Sequence, residues 1–318
     1  MKGNVKRNIF IAIIFTIIFY IGLAFYGNFD LVILSLQNFK WQYLPIILII
    51  IYATFLLKFI KWHYYLSLVD VHIKFSISFH IFMSSLTMSV TPGKIGDLIK
   101  PYMIKEIDGT PISKTVPIVF AERVTEFSSL ILIILLGIKI FEMDILIVFF
   151  TLTLFLLGLI IVLNKNANRY IIDKLSNFKV MNRYIEAISI SLNHSRNLLK
   201  IKPFLLMFLL SIVIWLLESF GFYLILLGFS EILPIFNSFF TYLFSVFAGS
   251  VAMIPAGLGI TDGSITYLLG KEGIKSDVAI SIALIARITI LWFSLLIGTI
   301  SLANFNKITN TNNTQKKL

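Results

Sequence analysis

Apolar residues in this chain come in unbroken blocks. Residues 9–26, 44–60, 131–138, 145–163, 204–229, 239–254 and 278–303 are almost wholly hydrophobic. Most of these blocks are long enough to predict helices that cross a hydrocarbon layer of about 30 Å. Their continuity excludes the alternating pattern of a β-barrel. The predicted fold class is an all-α polytopic membrane protein with six spanning helices and two re-entrant or broken helical segments.

The polar interruptions between blocks repeat. The first reads Pro92-Gly93-Lys94-Ile95-Gly96-Asp97 and is followed by Glu122-Arg123 inside an apolar run. The second reads Pro255-Ala256-Gly257-Leu258-Gly259 and is followed by Arg287 inside another. Pro92 precedes Arg123 by 31 positions, and Pro255 precedes Arg287 by 32. Each unit is an apolar segment, a Pro/Gly break, a polar stretch and an apolar helix bearing an arginine. A repeat of this kind predicts a transporter with its site between the copies. The copies run from about 8 to 140 and from about 145 to 304, within one domain over 1–304. The Asn/Thr/Lys-rich residues 305–318 read as a disordered cytoplasmic tail.

Composition sharpens this picture. The chain is 58% hydrophobic and 14% charged, against about a quarter charged in soluble domains. It has no cysteine, which excludes disulfides and thiolate chemistry. The formal charge of +11 gains meaning once it is placed. If 76–91 and 239–254 re-enter without crossing, 21 of the 27 lysines and arginines fall on one side and 4 on the other. The rule that basic loops are cytoplasmic then puts both termini inside. Letting both segments cross leaves 10 inside and 15 outside, against that rule. With three crossings between the breaks, the second copy is inverted. The loop over 164–202 holds eight of the basic residues. Ile185, Ile188, Leu192 and Leu199 give part of it helical spacing, for a helix lying flat on the membrane.

Ionisable residues within apolar runs mark the candidate site. They are Glu122, Arg123, Glu126, Glu218 and Arg287. A charge in lipid costs roughly 2.5–3.5 kcal/mol even on the lenient insertion scale, so each must face protein, water or another charge. One reading is an internal ion-pair network in which the arginines balance the three glutamates. The other is that Arg123 and Arg287 grip a phosphate, for which a permanently charged fork is suited. The two are compatible. Gly93, Gly96, Gly257 and Gly259 would let backbone approach a ligand, Lys94 and Lys100 add positive charge, and Pro92, Pro255, Asp97 and Asp262 would form the gating breaks. The four histidines are scattered, with no metal-ligand spacing. No nucleotide, cofactor or nucleic-acid motif is present.

The stretch Thr91-Pro92-Gly93-Lys94-Ile95-Gly96-Asp97, the later Glu122-Arg123-Val124-Thr125-Glu126 and the set Pro255, Gly257, Gly259 and Arg287 resemble the membrane region of lysylphosphatidylglycerol synthase/flippase proteins. The resemblance covers nearly the whole chain. In long members of that family a soluble domain transfers lysine from aminoacyl-tRNA to phosphatidylglycerol, and the membrane helices are credited with flipping the product. This sequence stops soon after its last apolar run, so it resembles the flippase part alone. The resemblance implies a lipid translocator of the cytoplasmic membrane, moving an anionic phospholipid or a polyprenyl-phosphate-linked lipid without a cofactor. Its partners would be membrane lipids and a separate lipid-modifying transferase. The competing expectations are a membrane transferase using Glu122 or Glu126 as acid/base, and a small-solute or ion carrier.

Overall fold

Long apolar blocks become long helices in the computed structural model, which describes residues 29–137, 145–176 and 184–315. In chain order these are α1 (Phe29–Gln37), α2 (Leu44–Leu68), α3 (Phe75–Ser85), α4 (Ile99–Asp108), α5 (Ile112–Gly137), α6 (Ile145–Leu163), α7 (Lys165–Ser176), α8 (Ile185–Leu198), α9 (Ile201–Gly228), α10 (Ile235–Val251), α11 (Ile260–Lys271), α12 (Ser276–Arg287) and α13 (Phe293–Gln315). No strand occurs among the described residues. A wide π turn, Ile288–Trp292, joins α12 to α13 without ending the helix.

Three helices, Trp41–Leu68, Ile201–Gly228 and Ser276–Phe305, are long and apolar enough to cross a membrane. Helix α5 matches them in length with 26 residues, about 39 Å at 1.5 Å per residue, but carries three charges in its middle. Phe149–Leu163 is followed, after a 76° bend, by Lys165–Lys174. The expected first span, 9–26, and the basic N-terminal residues lie outside the described residues, as does Lys139. Helix α13 continues to Gln315, through most of the tail expected to be disordered.

The two predicted breaks are present. After α3, 3₁₀ turns at Leu86–Met88 and Pro92–Leu98 lead into α4. After α10, a 3₁₀ turn at Pro255–Gly257 leads into α11. The polar stretches that follow the breaks are thus helices themselves. Helix α10 has 17 residues, about 25 Å, which is short of a full crossing by itself.

The described residues fall into two compact units. The first takes those up to Leu56, with Met83–Asp97 and Ile214–Ala303; the second takes Leu57–Phe82 and Leu98–Val213, with those from Asn304. Each draws on both copies of the sequence repeat.

In the first unit, Val32 of α1 packs on Ile280 of α12, flanked by Leu36 and Leu284. Val90 of the first break packs with Leu291 and Leu295, and Ala256 of the second break lies against the same cluster. The two breaks therefore meet one helix. Gly298 of α13 makes this possible: a Cβ there would lie 2.5 Å from the Thr87 backbone nitrogen. Ser89 and Ser294 share a hydrogen bond of 3.1 Å at the same seam. Small residues let helices and backbone approach in this way in membranes.

In the second unit, Phe59 meets Phe75, Phe79 and Phe82 edge-on or tilted, tying α2 to α3. Helix α8 packs along α5. One contact there has a specific cause. Pro117 lies inside α5 and has no N–H for the Ser113 carbonyl one turn back. The Ser191 hydroxyl of α8 donates to that carbonyl at 2.9 Å.

Removing this hydroxyl should expose the defect. Ser191→Ala is expected to destabilise the protein by about 1–2 kcal/mol through an orphaned carbonyl. In a Pro117→Ala background, where the helix can close its own bond, the same change should cost little. Chemical unfolding of the four proteins in detergent micelles measures the difference.

Candidate functional site

Backbone that leaves its helix inside a membrane must be satisfied by the protein. At the first break, Thr91 does this. Its hydroxyl donates to the Met88 carbonyl at 2.7 Å and accepts from the Gly96 N–H at 2.8 Å. A Cβ on Gly96 would collide with the Met88 Cβ and lie 2.7 Å from the Thr91 hydroxyl, so glycine is required by space. Asp97 is buried beside it.

The second break is more sharply folded. Met253, Ala256, Gly257 and Gly259 all have φ between 52° and 82°. For Met253 and Ala256 this is a strained, left-handed backbone. Arg287 holds it. Its Nη1 donates to the Ala256 carbonyl at 2.6 Å, and Nη2 to the Gly257 carbonyl at 3.1 Å. The guanidinium also forks onto Asp262, with Nε to Oδ1 at 2.6 Å and Nη2 to Oδ2 at 3.0 Å. Asp262 in turn accepts the Gly259 N–H at 3.1 Å and so caps α11. All three guanidinium nitrogens are engaged, and the side chain is 12% exposed. The sequence placed Arg287 and Asp262 in separate roles, as ligand and gate; they form one ion pair. Glu218, expected to balance an arginine, accepts the Tyr242 hydroxyl at 3.0 Å.

The remaining intramembrane charges gather in the second unit. Arg123 donates to Glu126 at 2.6 Å, one helical turn on, and its side chain is 33% exposed. Glu122 pairs with Lys100 of α4 at 2.7 Å. Lys61 of α2 donates to the Ser211 hydroxyl at 2.8 Å and to the Glu122 carbonyl at 3.2 Å, with a Glu126 carboxylate oxygen at 3.8 Å. The Lys100 ammonium also lies over the Trp62 and Phe82 rings, 4.6 and 5.1 Å from their centroids, a cation–π arrangement. Lys61, Lys100 and Glu122 are almost wholly buried.

Lys61 corrects the sequence reading. The apolar run that ends at residue 60 leaves Lys61 among the 21 basic residues assigned to the cytoplasmic side. The helix instead continues to Leu68, and Lys61 has 0% exposure. Leu66, Val69 and Val71 beyond it are buried apolar residues, and that continuation was the available signal.

The two repeats share one device with the charges exchanged. After the first break, a lysine on the short helix meets a glutamate on the long one. After the second, an aspartate on the short helix meets an arginine on the long one. Lys100 lies 8 positions past Pro92, and Asp262 lies 7 past Pro255.

Helices interrupted at Pro/Gly breaks and tied by buried ion pairs define a polytopic membrane protein of the broken-helix kind. The chain belongs to the family described as the lysylphosphatidylglycerol synthase TM region, which it matches over residues 9–298. It is similar to the UPF0104 membrane protein MJ1078 of Methanocaldococcus jannaschii, with 25% identity over 224 residues, covering 67% of this chain and 91% of that protein. It is also similar to a UPF0104 membrane protein of Methanothermobacter thermautotrophicus, with 22% identity over 326 residues, covering 92% of this chain and 91% of that protein. The family resemblance carried by the two Pro/Gly motifs is thereby borne out.

The Arg287–Asp262 pair should be structural in the first instance. Asp262→Ala is expected to destabilise the fold by about 3–5 kcal/mol, because it strands a buried cation. Arg287→Lys should recover little of the loss seen in Arg287→Ala, since one ammonium cannot replace a fork onto Asp262 and two carbonyls. Unfolding midpoints in micelles test both.

Proposed function

We propose that the protein is a lipid translocator of the cytoplasmic membrane, moving an anionic phospholipid or a polyprenyl-phosphate-linked lipid. The observation that carries this reading is the pair of breaks, each followed by a short helix tied to the next long helix through a buried ion pair. Such a tie is strong while dry and open to competition from a charged head group. The convergence of both breaks on Leu291 and Leu295 supports coupled movement. Membership in the lysylphosphatidylglycerol synthase TM family supports a lipid as cargo.

In this reading the copies are inverted, both termini are cytoplasmic, and the two halves rock about the breaks. Arg123, one third exposed, receives the phosphate. Arg287, engaged by Asp262 and two carbonyls, serves as the latch of the second break rather than as a ligand. Gly93, Lys94, Gly96, Gly257 and Gly259 shape the path. A separate lipid-modifying transferase would supply or consume the cargo. The ion pairs of Glu122 and Glu126 argue against either as the acid/base of a transferase.

Reconstitution into liposomes with a fluorescent phosphatidylglycerol tests the proposal. Wild-type protein should expose the label to an external quencher faster than empty liposomes do. Arg123→Ala should slow this by about tenfold, the effect of losing roughly 1.4 kcal/mol of charge-assisted binding. Equal rates with and without protein would sink the translocator reading.

A further inference from the structure

The two breaks stand in different forms. Pro92–Leu98 is a 3₁₀ helix that runs straight into α4, with Leu98 in the right-handed helical region. Helical turns thus fill all 17 positions of 92–108. The corresponding stretch of the second copy, 255–271, is also 17 residues long, but its α-helix starts only at Ile260. Before it, Ala256 and Gly257 are left-handed, Leu258 is extended and Gly259 has φ 82°.

Local preference points the other way in both copies. Proline suits the first position of a helix, and Ala256 and Leu258 are good helix formers. Alanine resists the left-handed region, which glycine enters freely. Yet Ala256 is left-handed at φ 52°, while Gly93, the residue after the corresponding proline, lies in the 3₁₀ helix. Packing, not local sequence, sets the form of each break. The second is tied by Arg287, through the Ala256 and Gly257 carbonyls, and by Asp262, through the Gly259 N–H. A helix started at Pro255 offers those same groups partners within itself. The N–H groups of Ile260 and Thr261 lie four residues beyond the two carbonyls, and the Pro255 carbonyl lies four before the Gly259 N–H. All three groups stay satisfied in either form, as membrane depth demands.

We propose that residues 255–259 are a switch that winds onto α11 and lengthens it to Pro255, the form that the first copy already shows. Winding hands the two carbonyls from Arg287 to the backbone of α11, while the guanidinium keeps its fork onto Asp262. Gly257 and Gly259 weaken the wound form, and left-handed Ala256 weakens the tied one, so neither is locked. Ala256 packs against the cluster of Val90, Leu291 and Leu295, so winding is felt where the first break is seated. Only the statement that the switch opens a path for cargo rests on the translocator reading.

The test is a distance across the switch in lipid nanodiscs, where no transport is needed. The chain has no cysteine, so two introduced ones carry spin labels without competition. Met253→Cys and Tyr267→Cys flank the switch at positions 70% and 61% exposed. Winding replaces left-handed and extended residues by a regular rise of 1.5 Å each, so the two forms give separate distances by pulsed electron spin resonance. Gly259→Ala strains the tied form, in which φ there is 82°, and should raise the wound share about fivefold. Ala256→Gly relieves the tied form and weakens the wound one, and should lower that share by about the same factor. Should Gly259→Ala not fold, Gly257→Ala takes its place. Its Cβ would lie 2.5 Å from the Thr261 hydroxyl in the tied form, and it should raise the wound share likewise. One unchanged distance in the parent and the variants would overturn the switch, as would a shift of both kinds of variant in the same direction. Two distances without lipid movement in liposomes would keep the switch and remove the translocator; movement with one fixed distance would do the reverse.

Discussion

Backbone amides and carbonyls released from a helix inside a membrane have no water to turn to. Each must find its partner in the protein, and much of this structure follows from that requirement. The Pro117 gap in α5 is filled by a serine from α8. The first break borrows the Thr91 hydroxyl. The second, with several residues at positive φ, needs a group with several donors in a fixed plane. Arg287 provides them, and Asp262 neutralises the charge it brings. On this view the arginine is present first because two carbonyls require it.

The same requirement explains why the buried charges form two kinds of cluster. Around Arg287 the donors and acceptors are closely matched. Around Lys61 and Lys100 the partners are a glutamate carboxylate, a serine hydroxyl and a helix carbonyl, with Arg123 held to Glu126 at the more exposed edge.

The long elements were legible because block length alone predicts them. The run 145–163 coincides with α6, and 204–229 and 239–254 fall within a few residues of α9 and α10. The breaks were legible too, since Pro and Gly stand where a helix must stop. The helices α4 and α11 were not seen, because they are short and partly polar. Lys61 is hidden from a reading by apolar runs, because a charge ends such a run whereas a paired lysine can continue the helix. The ion pairs were hardest to foresee. Lys100 and Glu122 lie 22 positions apart, and Asp262 and Arg287 lie 25 apart. Their meeting is a property of packing, which spacing does not encode.

The wide turn at Ile288–Trp292 separates two duties of one rod. Above it, Arg287 is aimed at the second break; below it, Leu295, Ser294 and Gly298 are aimed at the first. A regular α-helix advances about 100° per residue, so one residue more or less in that turn would swing the lower face away while the upper stayed in place. The extra residue acts as a phase offset between two bearings on a common shaft. Trimming it would restore a perfect helix and leave one of the bearings empty.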